Sequence, residues 1–468
     1  MDNSGIGFST NPLRQVLSRR RLLQGLAVAL AGGIAGCAQP AAQPAATQKP
    51  AATSAPAPAA TQAPAATQAP AAKPAGGKIR IGTIYPMSGS LALLGEESWR
   101  GAEIARLEQN AKGGINGAEI EFVKADAPDA NAAVSEANRL ISSEKLQILT
   151  GSYSSTLSQA ATEVAERNKV IYWEMGGISD PITERGFQYL FRTCPMASAF
   201  GITAANFAKD VVAPKLGVSP DKLKVSIVHE DALYGQSVSN AAEARVKELG
   251  LSLVGREPYS AKATDLSSLI LKLKAAQPDV LIATSYIQDL LLFWKQAREL
   301  DFNVKAVIGN GAGYALTDFA KAMGDDVNGI LNVDFTQYEV NENYAKGVKA
   351  YAKKYEETFK EPPRSGHSLA NYMGALVLWE VIAKAGGTDP EAVRKAALTI
   401  DIKPGTTATG WGVKFAGPGE KHAGQNMAAE PVMHQWQNGK QLVVWPSAAA
   451  VADVIMIPWP TWAERKRS

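Results

Sequence analysis

Hydroxyl-bearing and small residues follow an apolar run in the sequence Gly151-Ser152-Tyr153-Ser154-Ser155-Thr156. Residues 146–150 before it predict a buried strand, and residues 156–167 after it predict a helix. The first N–H groups of a helix have no partner within the helix, so they and nearby hydroxyls can bind an anion such as a carboxylate. We therefore predict a ligand contact at Ser154 and Ser155. Simple capping of the helix is the alternative for either serine alone.

A second segment of this kind is Met175-Gly176-Gly177-Ile178-Ser179-Asp180-Pro181, which follows a predicted strand at 170–174. Glycine lets a ligand approach the backbone closely, and Ser179 offers a hydroxyl. The alternative is a turn that ends at the Asp-Pro pair. Tyr234 lies beside Gly235 at another strand-to-helix junction, where a ring with a polar tip suits either a pocket wall or packing under the loop.

The sequence lacks the usual catalytic and metal-binding motifs. Gly309-Asn310-Gly311-Ala312-Gly313-Tyr314 follows a strand but lacks the last glycine of the dinucleotide fingerprint, and no Gly-x-Ser-x-Gly elbow occurs. The four histidines, at positions 229, 367, 422 and 434, have no metal-ligand spacing, so we predict structural roles for them. We therefore predict neither an enzyme nor a bound cofactor or metal.

Strands and helices alternate along residues 78–308, a pattern typical of βαβ units and parallel sheets. Two such series, separated near Arg192, predict two α/β lobes. The first series has strands at 78–85, 119–124, 146–150 and 170–174, with helices at 97–111, 131–142 and 156–167. The second has strands at 224–229, 251–257, 279–284 and 304–308, with helices at 199–209, 237–249, 266–275 and 290–300. Ligands of such sheets collect at the carboxyl ends of the strands.

The remaining third of the chain differs in character. Residues 329–335 predict a strand, and 343–359, 369–385 and 390–398 predict helices. Short antiparallel strands are predicted at 410–415, 431–436 and 441–445. Asn438-Gly439 between the last two is a strong local signal for a β-hairpin near the C-terminus.

The N-terminal residues predict export from the cytoplasm. Ser18-Arg19-Arg20-Arg21-Leu22-Leu23 precedes an apolar run that ends near residue 35, shorter than the roughly 20 residues that span a bilayer. This pattern resembles a twin-arginine signal, with an ordinary secretory signal as the alternative. Ile34-Ala35-Gly36-Cys37 resembles a lipobox, which implies that Cys37 is acylated and holds the protein on the outer face of the cell membrane.

Composition, charge and cysteine content describe the chain that remains after removal of the signal. Residues 38–77 are almost only Ala, Pro, Thr and Gln, which predicts a disordered tether. Removal of residues 1–36 takes away four arginines and one aspartate, and the mature chain is then close to neutral, which argues against nucleic acid as a partner. Cys194 would be the only remaining thiol, and we predict that it is buried.

Four segments together resemble the branched-chain amino acid (leucine/isoleucine/valine-binding) type of ABC-transporter solute-binding protein. They are Ile81-Gly82-Thr83-Ile84-Tyr85-Pro86-Met87-Ser88-Gly89, Lys112-Gly113-Gly114-Ile115-Asn116-Gly117, Asp180-Pro181 and Tyr234-Gly235. The resemblance implies the type I periplasmic-binding-protein fold, in which two doubly wound parallel-sheet lobes, joined by a three-crossing hinge, close over a small ligand. It also implies a monomer whose partner is an ABC permease in the membrane.

The predicted division of the chain follows from the signal, the composition and this resemblance. Residues 1–36 are the signal peptide and 37–77 the linker. Lobe 1 comprises 78–196 plus 332–407, and lobe 2 comprises 197–331 plus 408–468. The function implied is capture of an amino acid or a related small carboxylate or amide between the lobes, with the ligand-binding component of a signalling system as the alternative.

The resemblance also implies roles for single residues. Ser155 matches the carboxylate-binding serine of the family, and Gly177 and Ser179 match the residues that contact the backbone-like groups of the ligand. Tyr234 and Tyr286 match aromatic residues of the opposing lobe.

Two departures from the family pattern affect the ligand. Amino-acid binders pair the ligand ammonium with an acidic residue where this chain has Asn310 and Gly311, and an unpaired buried ammonium costs several kcal/mol. The ligand is then not a simple α-amino acid unless Glu174 or Asp289 supplies the charge. Leu94 stands where binders of aliphatic amino acids tend to have an aromatic residue, so the preferred side chain of the ligand stays open.

Overall fold

The computed structural model describes residues 77–465, and two β-sheets frame them. The first sheet has five parallel strands in the order β2-β1-β3-β4-β5. Its strands are β1 (Lys78–Tyr85), β2 (Glu119–Asp126), β3 (Ile148–Gly151), β4 (Ile171–Glu174) and β5 (Leu190–Arg192). β3 and β4 are buried along their whole length, because helices cover both faces of such a sheet.

The second sheet has seven strands in the order β12-β11-β10-β9-β8-β6-β7. Its strands are β6 (Lys224–Glu230), β7 (Ser252–Tyr259), β8 (Val280–Thr284), β9 (Ala306–Asn310), β10 (Leu331–Asp334), β11 (Val432–Gln437) and β12 (Lys440–Trp445). Strands β6 to β10 are parallel to one another, whereas β11 and β12 are antiparallel additions at one edge.

Helices connect the parallel strands and cover the sheets. Several have clear start signals: the Asp129 carboxylate accepts a hydrogen bond from the N–H of Ala132, and the Asp389 carboxylate accepts one from Ala392. The helices are α1 (Ala92–Ala111), α2 (Ala130–Ser142), α3 (Ser155–Arg167), α4 (Ala197–Phe207), α5 (Ala213–Leu216), α6 (Leu233–Glu248), α7 (Ser267–Ala276), α8 (Ile287–Glu299), α9 (Thr317–Met323), α10 (Val348–Phe359), α11 (Gly366–Ala385), α12 (Pro390–Ala397) and α13 (Trp462–Arg465).

The predicted α/β class, the two parallel-sheet lobes and the C-terminal hairpin are confirmed. At the turn of the β11–β12 hairpin, Asn438 and Gly439 have φ angles of 52° and 71°. Both therefore adopt the left-handed conformation that a two-residue type I′ turn requires. Cys194 is a free, buried thiol as predicted, and burial raises its pKa.

The predicted strand at 410–415 is wrong. Only isolated bridges form there, between Val413 and Ile402 and between Phe415 and Asn426. The Asn426 amide takes the place of a strand partner: it donates to the Gly412 carbonyl oxygen at 2.9 Å and accepts from the Lys414 N–H at 2.9 Å.

Four short elements were missed from the sequence: β5, α5, α9 and α13. β5 has three residues and α5 four, too few to show a period of hydrophobicity. The predicted lobe boundary at 331/332 falls within β10, which pairs with β9 in the second sheet. Among the described residues, no helix is long and apolar enough to cross a membrane. The predictions for the signal peptide, for Cys37 and for nearly all of the linker lie outside residues 77–465.

Candidate functional site

A small cavity of about 20 Å³ lies where the carboxyl ends of the two sheets face each other. From the first sheet it takes residues that follow β3 and β4, and from the second sheet residues at the ends of β9 and β10 and in the loops after β6 and β8. This is the edge at which parallel sheets bind ligands. Its walls are Tyr153, Gly176, Ile178, Phe200, Tyr234, Tyr286, Gly311, Ala312, Asp334, Phe335 and His367.

Six aromatic rings form most of this wall, and we call them the aromatic cage: Tyr153, Phe200, Tyr234, Tyr286, Phe335 and His367. They touch in sequence around the cavity. Ring centroids are 5.5 Å apart for Tyr234 and Tyr286, 6.3 Å for Tyr286 and Tyr153, 6.1 Å for Tyr153 and His367, 4.7 Å for His367 and Phe335, and 5.9 Å for Phe335 and Phe200. Such rings offer apolar contact together with the negative faces of their π systems.

Two tyrosine hydroxyls of the aromatic cage are bonded to the protein itself. Tyr153 donates to the Leu91 carbonyl oxygen at 2.9 Å, and Tyr234 donates to the carbonyl oxygen of Asn310. Burial raises the pKa of both phenols well above their usual range, so neither ionises near neutral pH. These two residues therefore contribute mainly their rings to the cavity.

Asp334, the last residue of β10, is the acidic residue in the cavity wall and is fully buried. Its Oδ2 accepts a hydrogen bond from Gln337 Nε2 at 3.3 Å, whereas its Oδ1 has no hydrogen-bond partner among residues 77–465. A Cβ built on Gly311 would lie 3.2 Å from this Oδ1, so glycine leaves the carboxyl oxygen open to the cavity. Burial without a charged partner raises the pKa of Asp334 to about 8.

His367, near the start of α11, lies beside this carboxyl group. Its Nε2 is 4.0 Å from Asp334 Oδ1, and neither ring nitrogen has a hydrogen-bond partner in the described part of the chain. Burial lowers its pKa to about 3, so the imidazole is neutral at physiological pH. The sequence analysis gave His367 a structural role, and the structure places it in the cavity wall.

The predicted serines lie beside the cavity but are not part of its wall. Ser154 is the N-cap residue of α3, and its backbone N–H donates to Ser152 Oγ at 3.1 Å. Ser155 Oγ accepts from the Ser179 N–H at 3.2 Å, and Ser179 Oγ donates to the Leu233 carbonyl oxygen at 3.2 Å. The hydroxyls of Ser155 and Ser179 thus bond within the protein, and the predicted ligand contacts of all three serines stay predictions.

Glu174 points into the loop that follows its own strand. Its Oε1 accepts the backbone N–H groups of Met175, Gly176 and Gly177 at 3.0, 2.8 and 2.6 Å. Burial nevertheless raises its pKa to about 7, since desolvation outweighs these hydrogen bonds. A Cβ at Gly177 would lie 2.5 Å from Ser158 Oγ, so this turn needs glycine for its own packing.

The other predicted residues divide between the wall and its surroundings. Tyr234, Tyr286 and Gly311 line the cavity, whereas Asn310, the neighbour of Gly311 in the chain, and Leu94 are buried without lining it. Asp289 also lies outside the wall: its Oδ2 accepts a hydrogen bond from the Tyr259 hydroxyl at 2.6 Å, and burial raises its pKa to about 7.

Two hydrogen bonds, which we call the closure contacts, join the loop after β4 in the first sheet to α6, which follows β6 in the second. One is the bond from Ser179 Oγ to the Leu233 carbonyl oxygen, and the other runs from the Asp180 N–H to Ser237 Oγ at 3.1 Å. Because this loop also supplies Gly176 and Ile178 to the cavity wall, the closure contacts border the cavity.

Arg192 supports the same loop from within the protein. Its fully buried guanidinium donates to the carbonyl oxygens of Ser179 at 2.6 Å and Gly177 at 3.1 Å and to Thr183 Oγ1 at 3.2 Å, and it also bonds Gln425 Oε1. Burial lowers the pKa of this guanidinium. The loop is therefore held from below by a cation and from the side by Glu174.

The sequence reasoning missed Asp334, His367, Phe200 and Phe335. One signal could have identified Asp334, because an acidic residue near the end of a predicted strand in a parallel sheet is unusual unless it has a partner or a ligand. His367 and the two phenylalanines carried no such signal, since nothing in the sequence places a helix start at 367 beside a strand end at 334.

Comparison with known proteins agrees with this architecture. Residues 78–432 match the model of the periplasmic binding protein family. The Leu/Ile/Val-binding protein homolog 7 of Brucella suis is 43% identical over 382 residues, which cover 81% of this chain and 94% of that protein. Homolog 8 of Brucella abortus is 42% identical over 384 residues, which cover 80% of this chain and 92% of that protein.

Solved structures show the same fold at lower identity. A branched-chain amino acid transporter substrate-binding protein from Streptococcus pneumoniae, in complex with isoleucine, is 23% identical with a TM-score of 0.66, and the match covers 80% of this chain and 99% of that one. An ABC-transporter solute-binding protein from R. palustris, in complex with benzoate, is 21% identical with a TM-score of 0.66. The match covers 81% of this chain and 98% of that one. The family match, the Brucella relatives and the two facing sheets lead to one conclusion: this chain belongs to the periplasmic binding protein family.

Proposed function

We propose that this protein captures a small solute, an amino acid or a related compound, in the cavity between its two sheets and delivers it to an ABC permease in the membrane. The observation that carries the proposal is the cavity itself, whose wall combines residues of both sheets and borders the closure contacts. The names of the Brucella relatives and the isoleucine complex of the S. pneumoniae protein support binding of a small solute.

The mechanism follows from where the wall residues lie. A solute that touches Tyr153 and Ile178 on one side and Tyr234 and Tyr286 on the other makes its full set of contacts only when the cleft is closed. It therefore binds the closed form better and shifts the population toward it. Closure would then be the signal that the permease recognises, and no chemical step is required of the protein.

We also propose that the mature protein is a lipid-anchored monomer on the outer face of the cell membrane. The lipobox-like sequence that ends at Cys37 and the preceding arginine pair support this proposal. In the host, a Cys37→Ala variant should leave the membrane fraction and appear in the soluble extracytoplasmic fraction. Retention of that variant in the membrane fraction would contradict the anchor.

A ligand screen on the purified protein tests the proposed function. A solute present at 100 times its dissociation constant stabilises the folded state by about 2.7 kcal/mol, which a thermal-shift screen over amino acids, amines, amides and carboxylates detects. Each solute found should also make the protein more compact in X-ray scattering.

Two variants then locate the binding site. Tyr286→Ala should weaken binding by about 1 to 3 kcal/mol because it removes a ring of the aromatic cage, and Tyr286→Phe, the matched control, should retain most of the affinity. If no solute stabilises the protein, or if Tyr286→Ala binds as the unchanged protein does, the cavity is not the binding site.

A further inference from the structure

We infer that Asp334 binds a positively charged nitrogen of the solute inside the aromatic cage, so that the transported class carries an ammonium or amidinium group. This inference rests on the proposed function and narrows its ligand. It assigns the role of charge partner to a residue on β10. The family resemblance would place the acidic residue elsewhere, in the segment around Gly311.

The first argument is the open hydrogen-bonding capacity in the wall. Asp334 Oδ1 and both ring nitrogens of His367 are buried and have no partner among the described residues. A buried polar atom without a partner destabilises the protein, so a ligand group that bonds to it contributes directly to affinity. Gly311 leaves the space in front of Oδ1 free, and a ligand N–H group placed there completes the bonding of the carboxylate.

The second argument is the charge of the wall. Its residues include no lysine or arginine, and Asp334 is its acidic member. The wall N–H groups of Gly176 and Gly311 already donate to Glu174 Oε1 and Asn332 Oδ1. The wall therefore offers an anion no cationic side chain, whereas a cation finds the carboxyl group of Asp334 and several aromatic faces.

The third argument is that His367 does not neutralise Asp334. A charged imidazole 4.0 Å from Oδ1 would itself pair with the carboxylate and compete with a ligand cation. Burial against Tyr153 and Phe335 keeps the ring neutral, so His367 does not compete with the solute for Asp334 when the carboxyl group loses its proton.

The test compares solutes that share a side chain and differ in their charged groups. One trio is 3-methylbutylamine, leucine and 4-methylpentanoate, and a second is 2-phenylethylamine, phenylalanine and 3-phenylpropanoate. Calorimetric titration of the unchanged protein should show binding by members that carry a protonated nitrogen and none by the two carboxylates without one. Asp334→Asn should weaken the binding of the nitrogen-bearing solutes about 10- to 100-fold, as expected for loss of a hydrogen bond with a charged group.

Two controls separate this role from a structural one. Asn is the neutral isostere of a protonated aspartic acid, so Asp334→Asn should unfold thermally like the unchanged protein when no solute is added. Glu97→Gln alters another buried carboxyl group, one outside the cavity wall, and should leave binding unchanged.

Each remaining outcome decides against a proposal. Tight binding of a carboxylate without a nitrogen, or undiminished binding of the amines by Asp334→Asn, overturns the inference and leaves the proposed function intact. Failure of every solute in this test and in the broader screen overturns both.

Discussion

Binding of an amine should depend steeply on pH, because Asp334 is mainly protonated below pH 8 before the solute binds. The pKa of Asp334 is raised to about 8 by burial. The ammonium group of 3-methylbutylamine has a pKa near that of lysine, about 10.4, so it stays charged throughout the range of interest. Tight binding then requires that Asp334 lose its proton when the solute enters.

The size of the effect follows from this pKa. At pH 6 about 1% of Asp334 is ionised, and at pH 8 about half is, so the affinity for the amine should increase about 50-fold between these values and level off above pH 8. Binding at pH 6 should release about one proton. His367 and Tyr234 do not change charge between pH 6 and 8, because burial lowers the pKa of His367 to about 3 and raises the pKa of Tyr234 well above its usual range.

Calorimetric titration in two buffers of different ionisation enthalpy, repeated at pH 6, 7 and 8, measures both the affinity and the protons released. Glu174 and Asp289 also have pKa values near 7, so the Asp334→Asn variant is the necessary control. It should bind weakly, with little change of affinity across the range and no proton release. An affinity of the unchanged protein that varies less than about threefold from pH 6 to 8, without proton release, would refute the reasoning.

Three further predictions concern the loop after β4. Ser237→Ala removes the closure contact to the Asp180 N–H, which contributes about 1 kcal/mol. Solute affinity should therefore fall about fivefold, and X-ray scattering should show a more open solute-free protein. Unchanged affinity would count against the contact. Glu174 has a raised pKa of about 7, so its contribution to stability is complete below pH 4.5 and is lost as the pH rises through 7. Glu174→Gln should therefore lose less unfolding free energy between pH 5 and 7 than the unchanged protein in denaturant titrations, and an equal loss would contradict the assignment. Arg192→Met leaves buried carbonyl oxygens without donors and should lower the free energy of unfolding by at least about 2 kcal/mol. Lys78→Met, the surface control, should change the free energy of unfolding little. Equal effects of the two substitutions would show that the buried hydrogen bonds of Arg192 contribute nothing.

The fold was predictable from the sequence because its signals are local. Runs such as 146–150 and 170–174 are mostly apolar, and the helices between strands bury a regular set of positions. The alternation that defines parallel sheets is therefore visible without three-dimensional information. Asn438-Gly439 identified the hairpin for the same reason. The strand at 410–415 failed because its backbone bonds to the Asn426 side chain, a contact that no periodic pattern contains.

The site was only partly predictable. Tyr234 and Tyr286 were identified because they match aromatic residues of the family that the sequence resembles, and both line the cavity. Asp334 and His367 also lie at the cavity, 4.0 Å apart. They are far apart in sequence, because helix α10 lies between them in the chain. Charge complementarity across such a distance depends on how strand ends and helix starts are placed in space, which residue types alone do not specify.

The loop that follows Glu174 has two roles at once: Gly176 and Ile178 line the cavity, and Ser179 and Asp180, the next two residues, make the closure contacts. A solute too large for the space would push Ile178 outward and, because Arg192 and Glu174 keep the loop stiff, would pull both closure contacts apart. We expect such a bulky compound to occupy the cleft yet leave it ajar. Import selectivity would then be exercised twice, first by affinity and again at handover, where only a fully shut protein is accepted.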